Sequence, residues 1–392
     1  MSIQTILFNI ETRKKKKLDP IIKWPGGKSS ELDQILPAMP SAFNNYYEPF
    51  IGGGAVFFSI HKQCNCKYIN DKSNELMNLY RMVASNNGKF FRCLYEITNG
   101  WLYIDKIVSS NDEEIVKLYQ SFSMGTVDEV NLLKWIDEFV QSNNTVFYSI
   151  LNDDFSVNIE NFLQEIKKNL RSKIKRMKKI EMEKGQLPRK DIVDNIECAL
   201  KSAFYMYFRY LYNNIYNYGM DNAQEAAIFC FMRNYAYSGM FRYNKNGDFN
   251  VPYGGIGYNK KNFEKKITYL KSKDIRQHLA DTIIESMDFE DFLVKHQPQK
   301  EDFVFLDPPY DTDFSTYAKN KFTKEDQKRL ANYLIYRCCA KWMLVIKNTD
   351  FIYKLYNKNG VSIDSFDKTY LVSFQNRNNK KAEHLLITNY KE

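Results

Sequence analysis

The chain has 392 residues, 44% of them hydrophobic, enough for a large buried core shared between two domains. Its 56 Lys and Arg against 47 Asp and Glu leave a formal net charge of +9, which suits a polyanionic partner without requiring one. The 7 Cys have no paired metal-ligand spacing, His occurs 4 times, and no apolar run is long enough to span a bilayer, so a zinc site, a disulfide framework and a membrane helix are excluded and a reducing cytoplasm is expected.

Residues 1–9 are too short for a signal peptide, and Lys14-Lys15-Lys16-Lys17 reads as a solvated arm or one that grazes DNA. Ile21-Ile22-Lys23-Trp24 then breaks at the tight loop Pro25-Gly26-Gly27-Lys28, with a helix predicted from Ser29 or Ser30. Tyr46-Tyr47-Glu48-Pro49-Phe50-Ile51 reads as a strand entering the loop Gly52-Gly53-Gly54, and the apolar residues 55–60 read as the helix after it. Cys66-Lys67-Tyr68-Ile69-Asn70-Asp71 is a second strand, ending in an acid and followed by a helix from Ser73 through Leu79, Tyr80 and Val83. Two βα units in succession predict a doubly wound parallel sheet.

Helical spacing dominates from about residue 86 to 235, as at Leu132, Leu133, Ile136, Phe139 and Val140. Lys167, Lys168, Arg171, Lys173, Lys175, Arg176, Lys178 and Lys179 form a basic stretch, either a solvated face or a phosphate-contacting one, broken at Gln186-Leu187-Pro188. A long aromatic-rich helix is predicted over 192–218, and 86–262 is expected to be inserted between the halves of the sheet. Residues 241–252 read as a hairpin turning at Asn246-Gly247. The sheet pattern resumes with strands over 281–287, ending at Asp288-Phe289, over 304–307 and over 342–346; Thr323 with Asp326 is close to a capping box.

The chemistry concentrates at Asp307-Pro308-Pro309-Tyr310, directly after the apolar run Phe303-Val304-Phe305-Leu306. Proline cannot extend a central strand, so the chain turns at its carboxyl end, where open α/β sheets bind ligands. An acid, unused carbonyls and an aromatic ring together suit a flat base with an exocyclic amine, although an isolated motif of this kind is also an ordinary turn. The glycine loop lets backbone approach a ligand closely, and Asp71, about 20 residues on, stands where Rossmann-like folds hold a ribose. That combination suits an adenosine-containing cofactor. The absence of a GxxxxGK[ST] loop argues against nucleoside triphosphate hydrolysis.

The order of Lys23–Lys28, Glu48–Gly54, Asn70-Asp71 and Asp307–Tyr310 resembles the Dam-like DNA adenine methyltransferases, the alpha group of the D12 class. The match extends to Phe322-Thr323, Gln327, Leu330-Ala331, Lys381 and Glu383-His384-Leu385-Leu386, while 86–225 departs from the family. The resemblance implies an α/β, Rossmann-like methyltransferase sheet with an inserted, mainly helical DNA-recognition domain, divided 18–85, 86–262 and 263–392. It implies S-adenosylmethionine as cofactor, no metal, and adenine N6 in double-stranded DNA as acceptor. Trp24, Gly27, Lys28, Glu48, Phe50, Gly52, Gly54, Asp71, Asp288, Phe289 and Asp307 would bind the cofactor. Asp307, Pro308, Pro309 and Tyr310 would hold the flipped base for direct transfer.

The hairpin resembles that of GATC-modifying members, with Tyr237, Met240, Arg242, Asn244 and Pro252 as its DNA-binding residues and Ser238 where relatives often carry Asn. A GA-containing site such as GATC is therefore expected, read by a monomer in a bacterial or phage setting, with a restriction endonuclease of the same site as a possible partner. Cytosine-N4 methylation, RNA or protein-glutamine methylation, and a non-catalytic DNA-binding protein of the same fold remain alternatives.

Overall fold

The computed structural model describes residues 18–310, 322–369 and 381–391, which divide into two compact units. The first comprises the described residues of 18–77, 273–310 and 322–391, and the second comprises Asn78–Ser272, which contains the whole of 86–262.

The first unit is built on seven strands: β1 Asn45–Glu48, β2 Cys66–Asn70, β3 Thr282–Glu285, β4 Phe303–Leu306, β5 Lys341–Lys347, β6 Ser362–Thr369 and β7 Lys381–Thr388. Their order is β3-β2-β1-β4-β5-β7-β6, parallel throughout except that β7 runs antiparallel between β5 and β6. This is the Rossmann-like sheet expected from the two βα units. Chain direction across the sheet reverses between β1 and β4, which pair through Tyr46 with Phe303 and Tyr47 with Val304. A crevice opens at such a switch point, at the carboxyl ends of the two strands.

All four residues of β4 are fully buried, as parallel strands covered on both faces require. Each large apolar side chain so buried contributes about 1.5–3 kcal/mol. Asp302 fixes the other end of the β1–β4 seam: buried just before β4, it accepts hydrogen bonds from the Asn45 amide (3.1 Å), the Asn45 side chain (2.9 Å) and the Gln299 amide (2.8 Å).

The helices are α1 Leu32–Ile35, α2 Asn74–Ala84, α3 Gly88–Ser110, α4 Asp112–Ser123, α5 Glu129–Ser142, α6 Asn144–Ser149, α7 Asn152–Phe155, α8 Ile159–Lys184, α9 Arg189–Asn213, α10 Asn222–Tyr235, α11 Phe263–Leu270, α12 Lys273–Leu279, α13 Phe289–His296, α14 Lys324–Tyr336 and α15 Asp350–Tyr356. None is long and apolar enough to cross a membrane.

Three local expectations are corrected. The helix predicted from Ser29 or Ser30 is the short α1, because Lys28 to Glu31 form a turn first, with Glu31 N–H donating to the Lys28 carbonyl. Residues 55–60 form one 3₁₀ turn, Phe57–Ser59: every side chain from Ala55 to Ile60 is buried, so no solvent-facing stripe exists for an amphipathic helix. The aromatic helix ends at Asn213 rather than 218, with Asn214 as its C-cap. Thr323 and Asp326 do form a reciprocal capping box at the start of α14.

In the second unit, α8 carries the basic stretch. Lys167 pairs with Asp137, Lys168 with Glu165, and both Arg171 and Lys175 with Glu129. Lys178 donates to the Phe122 carbonyl at 2.7 Å and lies 4.4 Å from that ring. Much of this cationic charge is therefore engaged by side chains of its own unit.

Candidate active site

The site grows from the carboxyl ends of β1, β2 and β4. Asn70, at the end of β2, joins neighbouring segments: its amide nitrogen donates to the Pro49 and Met287 carbonyls at 3.1 Å each, and its oxygen accepts from the Met287 amide at 2.9 Å. The residue is buried, and these bonds hold the exits of β1, β2 and β3 in one frame.

The glycine loop packs on that frame. Gly52 and Gly54 adopt left-handed conformations, with φ of +48° and +79°. A Cβ on Gly52 would lie 2.8 Å from the Trp24 ring, and one on Gly53 would lie 2.6 Å from the Ile22 carbonyl oxygen. Trp24 and the loop therefore fit together only because side chains are missing. Asp71 accepts hydrogen bonds from the Gly52 amide (3.1 Å) and the Ser73 amide (3.0 Å), linking the loop to the start of α2. Burial pushes its carboxyl up to about 6, partly offset by those amides.

Beyond β4, Asp307 meets Lys28, whose ammonium is buried. That ammonium donates to Asp307 Oδ1, to the Tyr310 hydroxyl at 3.1 Å and to the Gly26 carbonyl at 3.2 Å, using all three of its protons. Gly26, in turn, takes a left-handed φ of +78°, while Gly27 N–H closes the loop on the Trp24 carbonyl. Glu48 is buried nearby and accepts the Tyr46 hydroxyl at 2.6 Å. Burial raises its carboxyl well above the usual range, the Tyr46 bond opposes that rise, and the Asp307 charge adds to it.

Tyr310 also meets the edge of the His384 ring, 5.5 Å between centroids at 81°. His384 is completely buried and its Nδ1 lies 2.9 Å from the buried Glu31 carboxylate. Pro308 is buried and Pro309 exposed; the Pro309 carbonyl accepts from Gln327 Nε2 at 3.0 Å.

Asp288 caps α13 through the Glu290 amide and accepts from Arg329 at 2.7 Å. Phe289 packs on Phe50 (5.5 Å) and Phe322 (5.7 Å), with the Arg329 guanidinium 4.9 Å from its ring. Arg329 also binds Glu290 and Asp326. No sequence signal marked it, since two of its three carboxylate partners come from a segment about 40 residues upstream. Gln327 and His384 stood within motifs, but without assigned contacts.

The hairpin residues belong to the second unit. Tyr243 and Phe249 make one isolated bridge, and the turn is a four-residue one in which Asn244 Oδ1 accepts the Asn246 and Asp248 amides at 2.9 Å each. The side chain of Asn244 is thus committed to its own turn. Phe241 and Phe249 are buried beneath, whereas Tyr237, Arg242 and Pro252 are exposed and Met240 is half-buried. Arg242 Nε donates to Asn250 Oδ1 at 3.3 Å, and Ser238 holds a left-handed φ of +52°.

In the same unit Cys93, Glu96 and Asp154 bring potential metal-ligand atoms within 4.8 Å of one another. Arg92 sits 3.1 Å from Asp154 and 3.4 Å from Glu96, and burial with these acids pushes the Cys93 thiol up to about 12. Both acids are therefore already neutralised by Arg92.

Comparison with known proteins fits this geometry. The family model for D12 class N6 adenine-specific DNA methyltransferases matches residues 24–109 and 139–371. The chain belongs to that family. The Type II methyltransferase M.CviBI of Paramecium bursaria Chlorella virus NC1A is 29% identical over 376 residues, 95% of this chain and 100% of that protein. The Type II methyltransferase M.MjaIII of Methanocaldococcus jannaschii is 26% identical over 390 residues, 95% of this chain and 100% of that protein. The DNA adenine methylase of Escherichia coli strain K12 is 30% identical over 188 residues, 46% of this chain and 60% of that protein. The protein is therefore a DNA methyltransferase of the D12 class.

Close packing of the glycine loop has a direct consequence. Gly53→Ala drives a methyl group into the Ile22 carbonyl and is expected to cost about 1–3 kcal/mol of stability, read as a lower urea midpoint at unchanged m-value.

Proposed function

We propose that this D12-class methyltransferase moves a methyl group from S-adenosylmethionine to the exocyclic N6 of an adenine flipped out of duplex DNA, at a GA-containing site such as GATC. The observation that carries the reading is the Lys28 ammonium joined to both Asp307 and Tyr310 at the switch point of the sheet. It presents an oriented carboxylate beside an aromatic ring, the two groups needed to grip an amine-bearing base from its edge and its face.

The residues of the glycine loop fit the cofactor. Gly52 and Gly53 let the loop backbone pack tightly against Trp24 and Ile22, and Asp71 stands at the end of β2 as an acceptor for ribose hydroxyls. Phe50, Phe289 and Asp288, braced by Arg329, form an aromatic and acidic rim suited to the cofactor's adenine. Trp24, Gly27, Lys28, Glu48 and Gly54 complete the proposed binding set. S-adenosylmethionine, when bound, supplies an electrophilic methyl group.

The protein's own task is then to prepare the nitrogen. Adenine N6 is a poor nucleophile because its lone pair is delocalised into the ring. Asp307 and the Pro308 carbonyl each accept one N–H, favouring a pyramidal nitrogen whose lone pair points at the methyl carbon. With the cofactor bound, the nitrogen held by these two acceptors would take the methyl group as the C–S bond broke, and the extra N–H proton would leave to water. Asp307 stabilises the positive charge that builds on nitrogen. Tyr310 stacks on the extruded base, and alignment supplies most of the rate.

On the hairpin, exposed Arg242 is proposed to read a guanine, with Asn250 steadying its guanidinium, and Tyr237 or Met240 to wedge into the base stack. Asn244 acts by shaping the turn. The names of the type II relatives support pairing with a restriction endonuclease of the same site, and the reading takes a monomer in the cytoplasm.

Three measurements test these roles. Labelled S-adenosylmethionine and unmethylated genomic DNA, with long-read mapping of the product, should yield N6-methyladenine; Asp307→Ala should abolish transfer. Modified cytosine alone, or no modified base, overturns the reading.

The second concerns pH. The carboxyl of Asp71 titrates at about 6 in the fold against an ordinary 3.8, so its contribution to stability is complete below about pH 4 and is lost as pH rises through 6. Ribose hydroxyls favour the ionised form instead. Cofactor affinity should accordingly strengthen as pH rises through about 6, and Asp71→Asn should flatten that dependence in calorimetric titrations.

For the hairpin, Arg242→Ala should lose about 1–3 kcal/mol at one guanine position. Uniform weakening on all sequences would mark a phosphate contact.

A further inference from the structure

Resting on the reading of Asp307–Tyr310 as the base-holding loop, we infer that Gln327 is a positioning residue that sets the distance between its two arms, the Asp307 carboxylate and the Tyr310 ring. The loop has little means of holding itself. Pro308 and Pro309 have no N–H, and both have φ fixed by their rings. The torsion ψ of Pro308 is restricted as well, because a proline follows it. The soft torsion left between the arms is ψ of Pro309, which turns the Pro309 carbonyl and the direction in which Tyr310 leaves. Gln327 Nε2 donates to that carbonyl at 3.0 Å.

Gln327 is itself held rigidly. Its side chain is completely buried, and it follows the capping box of Thr323 and Asp326, its backbone amide bonding the Thr323 carbonyl. Its amide orientation is also determined. Nε2 faces the Pro309 carbonyl, while buried Oε1 has no hydrogen-bond partner among the described residues. Turning the amide over would bring two acceptors together and lose the bond to Pro309. The donor thus stays on the loop, at the expense of an acceptor that finds no partner among the described residues. Lys28, bonded to both Asp307 and Tyr310, needs that spacing to reach the two at once.

The test uses the full chain with Gln327→Leu, which removes the donor and keeps most of the volume. Melting should show a folded protein, with cofactor Kd within about twofold of wild type and kcat reduced by at least about tenfold, the scale of a misplaced reacting group. With 2-aminopurine in place of the target adenine, the bound complex should fluoresce more strongly than wild type, because the base stacks less on Tyr310. Gln327→His, which keeps an N–H donor, should recover part of kcat. A folded Gln327→Leu protein with kcat and fluorescence near wild type overturns the inference, as does equal loss of cofactor affinity and kcat. If Gln327→Leu does not fold, Gln327→Met is judged by the same criteria. Wild-type transfer to adenine, measured in parallel, separates failure of this inference from failure of the methyltransferase reading.

Discussion

A buried ammonium group organises the first unit. Lys28 lies in a loop near the start of the chain, and Asp307 and Tyr310 lie some 280 positions later, yet one nitrogen binds both and the Gly26 carbonyl as well. A buried charge is tolerated only when paired and fully hydrogen-bonded; removing either partner would strand the other. The positions of the first loop and of the turn after β4 are therefore mutually dependent. The same contacts orient a carboxylate and a ring at the crevice of the sheet.

The crevice exists because of strand order. β1 and β4 are adjacent while their connections diverge, and Asp302 ties one end of their seam. At the opposite end, polar groups take over: Asn70 joins the strand exits, Asp71 secures the glycine loop, and Arg329 braces Asp288 against Phe289. Apolar burial supplies the stability of this platform, and a small set of directional bonds supplies the precision of its rim. The second unit divides its labour in a similar way. Buried Phe241 and Phe249 seat the hairpin, Asn244 closes its turn, and Arg242 projects outward. The basic helix shows why net charge is a coarse guide to a nucleic-acid surface, since several of its cations already hold carboxylates of their own unit.

Several elements were legible in the sequence because their causes are local. The apolar run before Asp307 is a buried strand, Thr323 and Asp326 cap a helix, and Gly52 and Gly54 take the left-handed conformations that glycine permits. Where a local rule competed with packing, packing won. Residues 55–60 had helical composition, but with every side chain buried they needed only a single turn. The hairpin does turn at Asn246-Gly247, and the Asn244 side chain secures that turn by accepting two backbone amides.

The amino-acid sequence by itself determined which groups are available and where the chain must bend: an acid, two prolines and a tyrosine after one strand, glycines after another, and an acid at the end of a third. Those are properties of neighbouring residues, set by torsions and side-chain chemistry. Only the tertiary structure decided which groups meet. Lys28 with Asp307, Glu31 with His384, Arg329 with Asp288 and Gln327 with Pro309 depend on strand order and on the depth of burial. No local propensity encodes such pairings, because their energy comes from satisfying polar groups that burial has already removed from water.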